Sequence, residues 1–151
     1  MEKEVGTMLL QAEKKILDEI SSGSRIARLD IQTMLSKIYD EELALDLNRQ
    51  AARYSRIQEK AENCLKKEGE TPKVPGVLDR PRRWAAIQAE TALNISTEHV
   101  AELLMREEKK RLDNMMDMVR EQAKTGRETE EIAEEFMDFA EENIRILGTY
   151  I

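Results

Sequence analysis

His99 is the only histidine in the chain, and the residues best suited to share chemistry with it are oxygen donors: Asp30, Asp46, Gln50, Glu108 and Asn143. A carboxylate-bridged pair of metal ions in a helical bundle draws on two Glu-x-x-His pairs, one from each of two helices. One histidine cannot supply two pairs, and the residue three before it is Ser96. What remains is a site of unusual composition. Hard oxygen ligands would suit Mn, Mg or Ca better than Zn, so the metal alternative is Mn or Fe on Asp46, Gln50 and Glu108, with Asn143 and Asp30 beside them. His99 and Glu102 stand one turn apart and would have to recruit other groups to hold an ion. The opposing interpretation needs no cofactor: the same polar residues form an internal hydrogen-bond layer that fixes helix register.

These residues matter because they fall on apolar stripes. In the first helix, expected over about 4–38, steps of three and four run through Val5, Leu9, Ala12, Ile16, Ile20, Gly23, Ala27, Ile31, Met34 and Ile38, one face of a helix. Asp30 flanks that stripe. Gly23, within Ser21-Ser22-Gly23-Ser24, marks a weak point or a close approach. Asp40 is suited to cap a second helix, 41–68, with Glu41 and Glu42 at its positive end. Its stripe of Leu43, Leu47, Tyr54, Ile57, Ala61 and Leu65 also takes in Asp46 and Gln50. Gly69 suits its C-terminus.

Residues 69–80 hold two prolines and two glycines and are expected to form a linker. Pro81 then opens a short helix through Trp84, Ala89 and Leu93. The apolar face of 84–93 points roughly 100° away from that of 100–123, at about 100° per residue. Ser96 is expected to supply the break as an N-cap, with Ile95 and Val100 as a hydrophobic staple. A helix over 97–124 follows on Ala101, Leu104, Met105, Leu112, Met115, Met116 and Val119, with Glu108 mid-stripe. Thr125-Gly126-Arg127-Glu128 matches a capping box for the last helix, 127–150, which carries Ile132, Phe136, Phe139, Asn143 and Leu147. The apolar end at Tyr150-Ile151 is expected to dock.

Short turns at 39–40 and 125–126 make two hairpins, and the segment 69–96 joins them. The expected fold is therefore all-α: one domain, residues 1–151, an antiparallel four-helix bundle with a long crossover between its second and third long helices, as in ferritin-like folds. Counting from the turns sets Glu108 level with Asn143, and Asp30 level with Gln50. A buried lone carboxylate is costly, so each needs a partner, a proton or a metal.

Charge narrows the function. The net of -7 disfavours nucleic acid and anionic membranes, and no apolar run approaches the ~18 residues of a membrane span. The N-terminus shows no signal-peptide pattern, and the single cysteine, Cys64, suits a cytoplasmic chain without disulfides. Cys64 lies at the edge of a stripe as a small core residue. From Arg127 to Arg145 there are eight acids against two arginines, whereas 66–83 hold six Lys/Arg against three acids. Those segments either face solvent or meet. The six-charge run 106–111 is expected to snorkel outward. No phosphate loop and no nucleophile–base pair is recognisable.

The order of segments resembles a family of small uncharacterised bacterial ferritin-like proteins. The matching stretches are Asp40-Glu41-Glu42-Leu43 with Asp46-Leu47, then Gln50 and Tyr54. Trp84, Ile87 and Ser96-Thr97-Glu98-His99-Val100-Ala101-Glu102 follow, then Glu141-Glu142-Asn143-Ile144 running to Tyr150-Ile151. The resemblance implies the fold and assigns no activity. In place of small residues after Met105, this chain has Arg106-Glu107-Glu108-Lys109-Lys110-Arg111. The expectation is a non-catalytic structural or interaction module that forms a homodimer or meets a protein partner. A divergent metal-binding or redox bundle is the alternative.

Overall fold

The computed structural model describes residues 11–72, 79–92, 94–122 and 125–151. They form five helices and, among the described residues, no strand. The helices are α1 (Gln11–Leu35), α2 (Glu41–Lys67), α3 (Asp79–Thr91), α4 (Thr97–Glu121) and α5 (Arg127–Gly148). The all-α expectation holds, and four of the five are long. None of the described helices is long and apolar enough to cross a membrane.

α1, α2 and α5 bury most of the stripe that the sequence marks, whereas α4 buries Ala101, Leu104, Glu108 and Met115 but leaves Met116, one helix step beside Met115, exposed. Ile16, Ile20, Ala27, Ile31 and Met34 are buried on α1, and Leu43, Leu47, Tyr54, Ile57, Ala61 and Leu65 on α2. At the centre, the Tyr54 ring meets Phe139 edge-on at 4.8 Å and Phe136 at 6.2 Å, geometries that aromatic quadrupoles favour. α1 runs unbroken through Gly23. A Cβ there would stand 3.3 Å from Phe136 Cζ and 3.8 Å from Arg111 Cδ. The glycine thus admits two large side chains from α5 and α4 and does not break the helix.

The ends follow from capping, with corrections. Asp40 accepts a hydrogen bond from Leu43 N–H at 2.9 Å, and Ser96 from His99 N–H at 3.2 Å. α2 ends in a Schellman turn: Glu70 N–H donates to Leu65 O, Gly69 N–H donates to Lys66 O, and Gly69 has φ 76°. Only glycine adopts that backbone at little cost. α1 stops at Leu35, short of 38. α4 stops at Glu121, short of 124, and α5 at Gly148, short of 150. α3 starts at Asp79, inside the stretch expected to be a linker, with Pro81 in its first turn, where a missing N–H costs no hydrogen bond. The remaining linker residues 73–78, and Val5, Leu9 and Leu93, lie outside the described residues. Ile95 keeps 37% exposure while Val100 is buried, so the expected staple covers one partner only in part. Ile151 is likewise exposed, and the tail docks through Tyr150.

The capping box at Thr125–Glu128 does not form. The N-cap of α5 is Gly126, with no side-chain cap bond of its own. Glu13 on α1 takes that role across space: its Oε1 accepts from Gly126 N–H at 2.6 Å and its Oε2 from the Thr129 hydroxyl at 3.2 Å. A carboxylate at the positive end of a helix is favourable, and here it also ties two helices together.

Cross-helix pairs fix direction. Lys14–Glu70, Ser21–Glu62 and Arg28–Ser55 run α1 against α2. Lys67–Glu128, Lys60–Glu135 and Asp46–Tyr150 run α2 against α5. α1 and α5 are parallel, since Glu13 meets Thr129 and Gly23 meets Phe136. Met105 stands at Gly148 and Arg111 shares Gly23 with Phe136, so α4 runs against α5. α2 and α4 therefore point the same way, and the segment between them must return along the molecule.

Candidate functional site: a buried Tyr54–Glu108–Arg111 cluster

Glu108 projects from the middle of the α4 stripe and is 2% exposed. Its carboxylate accepts from the Tyr54 hydroxyl at 2.8 and 2.6 Å and from Arg111 Nη2 at 2.8 Å. Tyr54 comes from α2; Arg111 lies three residues on from Glu108 and so shares its helix face. The guanidinium also lies 5.6 Å from the Tyr54 ring centroid, within cation–π range. Burial, and then the Glu108 charge, drive the Tyr54 hydroxyl far above its ordinary range. Burial works against the Arg111 charge, but Glu108 outweighs it and holds the guanidinium protonated. The result is an internal ion pair with a phenol donor locked onto it. The expectation that the 106–111 run snorkels outward is corrected here: Arg111 turns inward because Glu108 does.

Asp30 is buried on α1 and is gripped by Arg83 of α3, whose Nε donates at 3.0 Å and whose Nη2 makes a second bond. Arg83 also lies 3.6 Å from Glu107. Asp46, at the start of α2, accepts from the Tyr150 hydroxyl at 2.5 Å. Burial, then that hydrogen bond, raise the Tyr150 pKa above its ordinary value. Gln50 and Asn143 are buried. Gln50 Nε2 and both Asn143 amide atoms have no hydrogen-bond partner among the described residues.

The five metal candidates are thus placed apart in bonding terms. Among the described residues no hydrogen bond joins any two of them, and no group of three or more His, Cys, Asp or Glu side chains is arranged to hold a metal ion. His99 Nε2 donates to the Glu90 carbonyl at 3.0 Å, which ties α4 to the end of α3. Glu102 is exposed. Cys64 is buried, and burial, then the nearby Glu128, push its thiol up to about 11. This favours the inert thiol over the reactive thiolate.

Sequence reasoning passed over Tyr54, Arg111, Arg83 and Glu13. Two of these carried a signal. A tyrosine on a buried stripe needs a partner for its hydroxyl, and a Glu–Arg pair at i,i+3 is a local ion pair. The partners of Arg83 and Glu13 lie 53 and more than 100 residues away, beyond any local pattern. The oppositely charged segments meet in part: Lys67 reaches Glu128 at 3.3 Å, while Arg83 turns to Asp30.

Comparison of the chain with protein-family models, with curated proteins and with solved structures found no match.

Proposed function

We propose that this chain is a ferritin-like four-helix bundle that works without catalysis, as a cytoplasmic interaction module that pairs with a second copy of itself or with another protein. The helix directions support the bundle: two antiparallel hairpins, α1–α2 and α4–α5, are joined by a crossover that carries α3. The observation that carries the interaction is the placement of exposed apolar side chains. Of the six large apolar side chains exposed among the described residues, Tyr39, Leu45, Ile95 and Ile151 stand where α1 and α5 end and α2 and α4 begin, while Trp84 and Met116 lie elsewhere. Helix directions put those four ends together. Large apolar groups gathered at one end of a molecule favour a partner over water. The buried carboxylates support a packing role, because Glu13, Asp30 and Glu108 are each satisfied by donors of this chain drawn from another helix.

Solution mass tests the proposal. Light scattering is expected to give twice the 17.5 kDa of one chain, and Tyr39→Ser with Ile151→Ser is expected to return the monomer. A monomeric wild-type chain that captures no protein partner would sink it.

A second reading rests on the unpartnered amides of Gln50 and Asn143. Such groups are costly when buried and suit a bound species between α2, α4 and α5. On that reading the protein is a divergent metal or redox bundle, with Mn or Fe held by Glu108, Asn143 and Gln50 after Glu108 exchanges a donor for the ion. Elemental analysis of protein purified without chelator decides it. Near-stoichiometric Mn or Fe, lost in Asn143→Leu while helix content persists, would establish the metal site.

A further inference from the structure

Beneath α3 lies a half-open cavity of about 190 Å³ between α1, α3 and α4. Its floor is apolar: Met34 from α1, Ile87 from α3, Leu103 and Leu104 from α4, with the exposed Ala86 of α3 at its mouth. Its rim carries Arg82, Arg83 and Arg106 against Asp30, Glu90 and Glu107. These charges balance formally but are committed unequally. Asp30 is held by two N–H groups of Arg83. Glu107 lies 3.6 Å from Arg83 and 3.5 Å from Lys110. Glu90 meets Arg106 at 3.6 Å between two half-exposed side chains, a contact worth little in water. Arg82 is exposed and has no ion-pair partner among the described residues. The free valence at the rim is positive.

Size and polarity then choose the occupant. An apolar protein cavity of about 150 Å³ takes benzene, so this one has room for a phenyl ring and a short arm. We propose that the cavity binds a small organic carboxylate with an aryl or short alkyl body. The body lies on Met34, Ile87, Leu103 and Leu104, and the carboxylate engages Arg82 and Arg106, whose planar forks match a carboxylate. An organic cation would find two of the three acids, Asp30 and Glu107, already held by Arg83, and only Glu90 loosely paired. A neutral isostere would fill the floor and leave the arginines in water. Because α3 supplies both floor and head-group contacts, the ligand also strengthens the docking of α3.

Phenylacetate is the probe, titrated into the full chain while methyl resonances are followed by NMR. Saturable shifts are expected at Met34, Ile87, Leu103 and Leu104. Phenylacetamide and phenethylamine, the neutral and cationic isosteres, are expected to bind at least about tenfold more weakly, as is phenylacetate to Arg82→Ala with Arg106→Ala, in keeping with lost charge-assisted hydrogen bonds. Both arginines are exposed on helix surfaces, so the double variant keeps its helix content by circular dichroism. Ala86→Trp, which fills the cavity from its exposed side, is expected to abolish binding. No saturation up to about 10 mM, weaker than the millimolar range, would overturn the proposal. So would equal binding of the amide, or saturable shifts confined to another part of the chain.

Discussion

α2 and α3 are held to the molecule by different forces. Nine of the 27 residues of α2 are buried, and its central side chain, Tyr54, packs on two phenylalanines and bonds to Glu108. α3 contributes only Thr91 to the buried set among the described residues, and Trp84 on its outer face is 57% exposed. What fastens α3 is a string of polar ties: Arg83 to Asp30, Lys37 to Gln88 at 2.6 Å, and the Glu90 carbonyl to His99. Apolar burial contributes roughly 25 cal/mol per Å² whatever its direction, whereas partly exposed polar ties are weak and depend on geometry. The two helices should therefore differ in stability, not merely in length.

The largest effect is expected at the polar centre of the packed region. Glu108→Ala would leave the Arg111 guanidinium buried without its counter-charge, a loss of about 3–5 kcal/mol, read by urea unfolding. If the loss were under about 1 kcal/mol, as for an exposed pair, the cluster would be hydrated and the contrast with α3 would weaken. Tyr54→Phe removes only the phenol donor and is expected to cost about 1–3 kcal/mol.

Tyr54→Phe also sharpens the pH dependence. Burial keeps the Tyr54 hydroxyl neutral where the unfolded chain ionises, near pH 10. Its contribution is therefore complete below that pH and is lost as pH rises further. Melting temperature should fall more steeply above pH 10 in the wild type than in Tyr54→Phe. Parallel curves would show that the hydroxyl is not held neutral by the fold.

Glu13→Ala is a smaller break, because it removes a cap and leaves the core alone. A loss of about 1 kcal/mol is expected, as for side-chain caps elsewhere, together with faster amide exchange in the first turn of α5. An unchanged first turn would mean that Glu13 caps nothing in solution. The smallest effect is expected at α3: His99→Ala should change global stability by less than about 0.5 kcal/mol. Hydrogen exchange should nevertheless find the amides of α3 opening well before those of α2, since local openings follow local packing. Equal protection of the two helices would erase the distinction drawn between them.

The same division governs how much was legible in the sequence. The α2 stripe, its Asp40 cap and its Gly69 terminus are local matters of spacing and residue type, and each was readable. Glu108 was readable as a buried carboxylate in need of a partner. That Arg111 and Tyr54 are those partners was not, because a run of six charged residues reads equally well as a solvated face. For α3 the sequence marked a helix whose apolar face departs from that of its successor. It did not mark Arg83, whose partner lies on α1.

What the sequence by itself determined is the all-helical class, most of the side chains that the long helices bury, and the positions of Asp30, Gln50, Glu108 and Asn143 on or beside those stripes. Periodicity and caps are properties of a few consecutive residues, so they survive without knowledge of neighbours. Tertiary structure alone decided which donors satisfy the buried carboxylates, that Glu13 rather than Thr125 serves the start of α5, and that a cavity opens under α3. Those outcomes depend on which side chains meet across helices far apart in the chain, and a buried charge takes whichever donor the packing brings within reach.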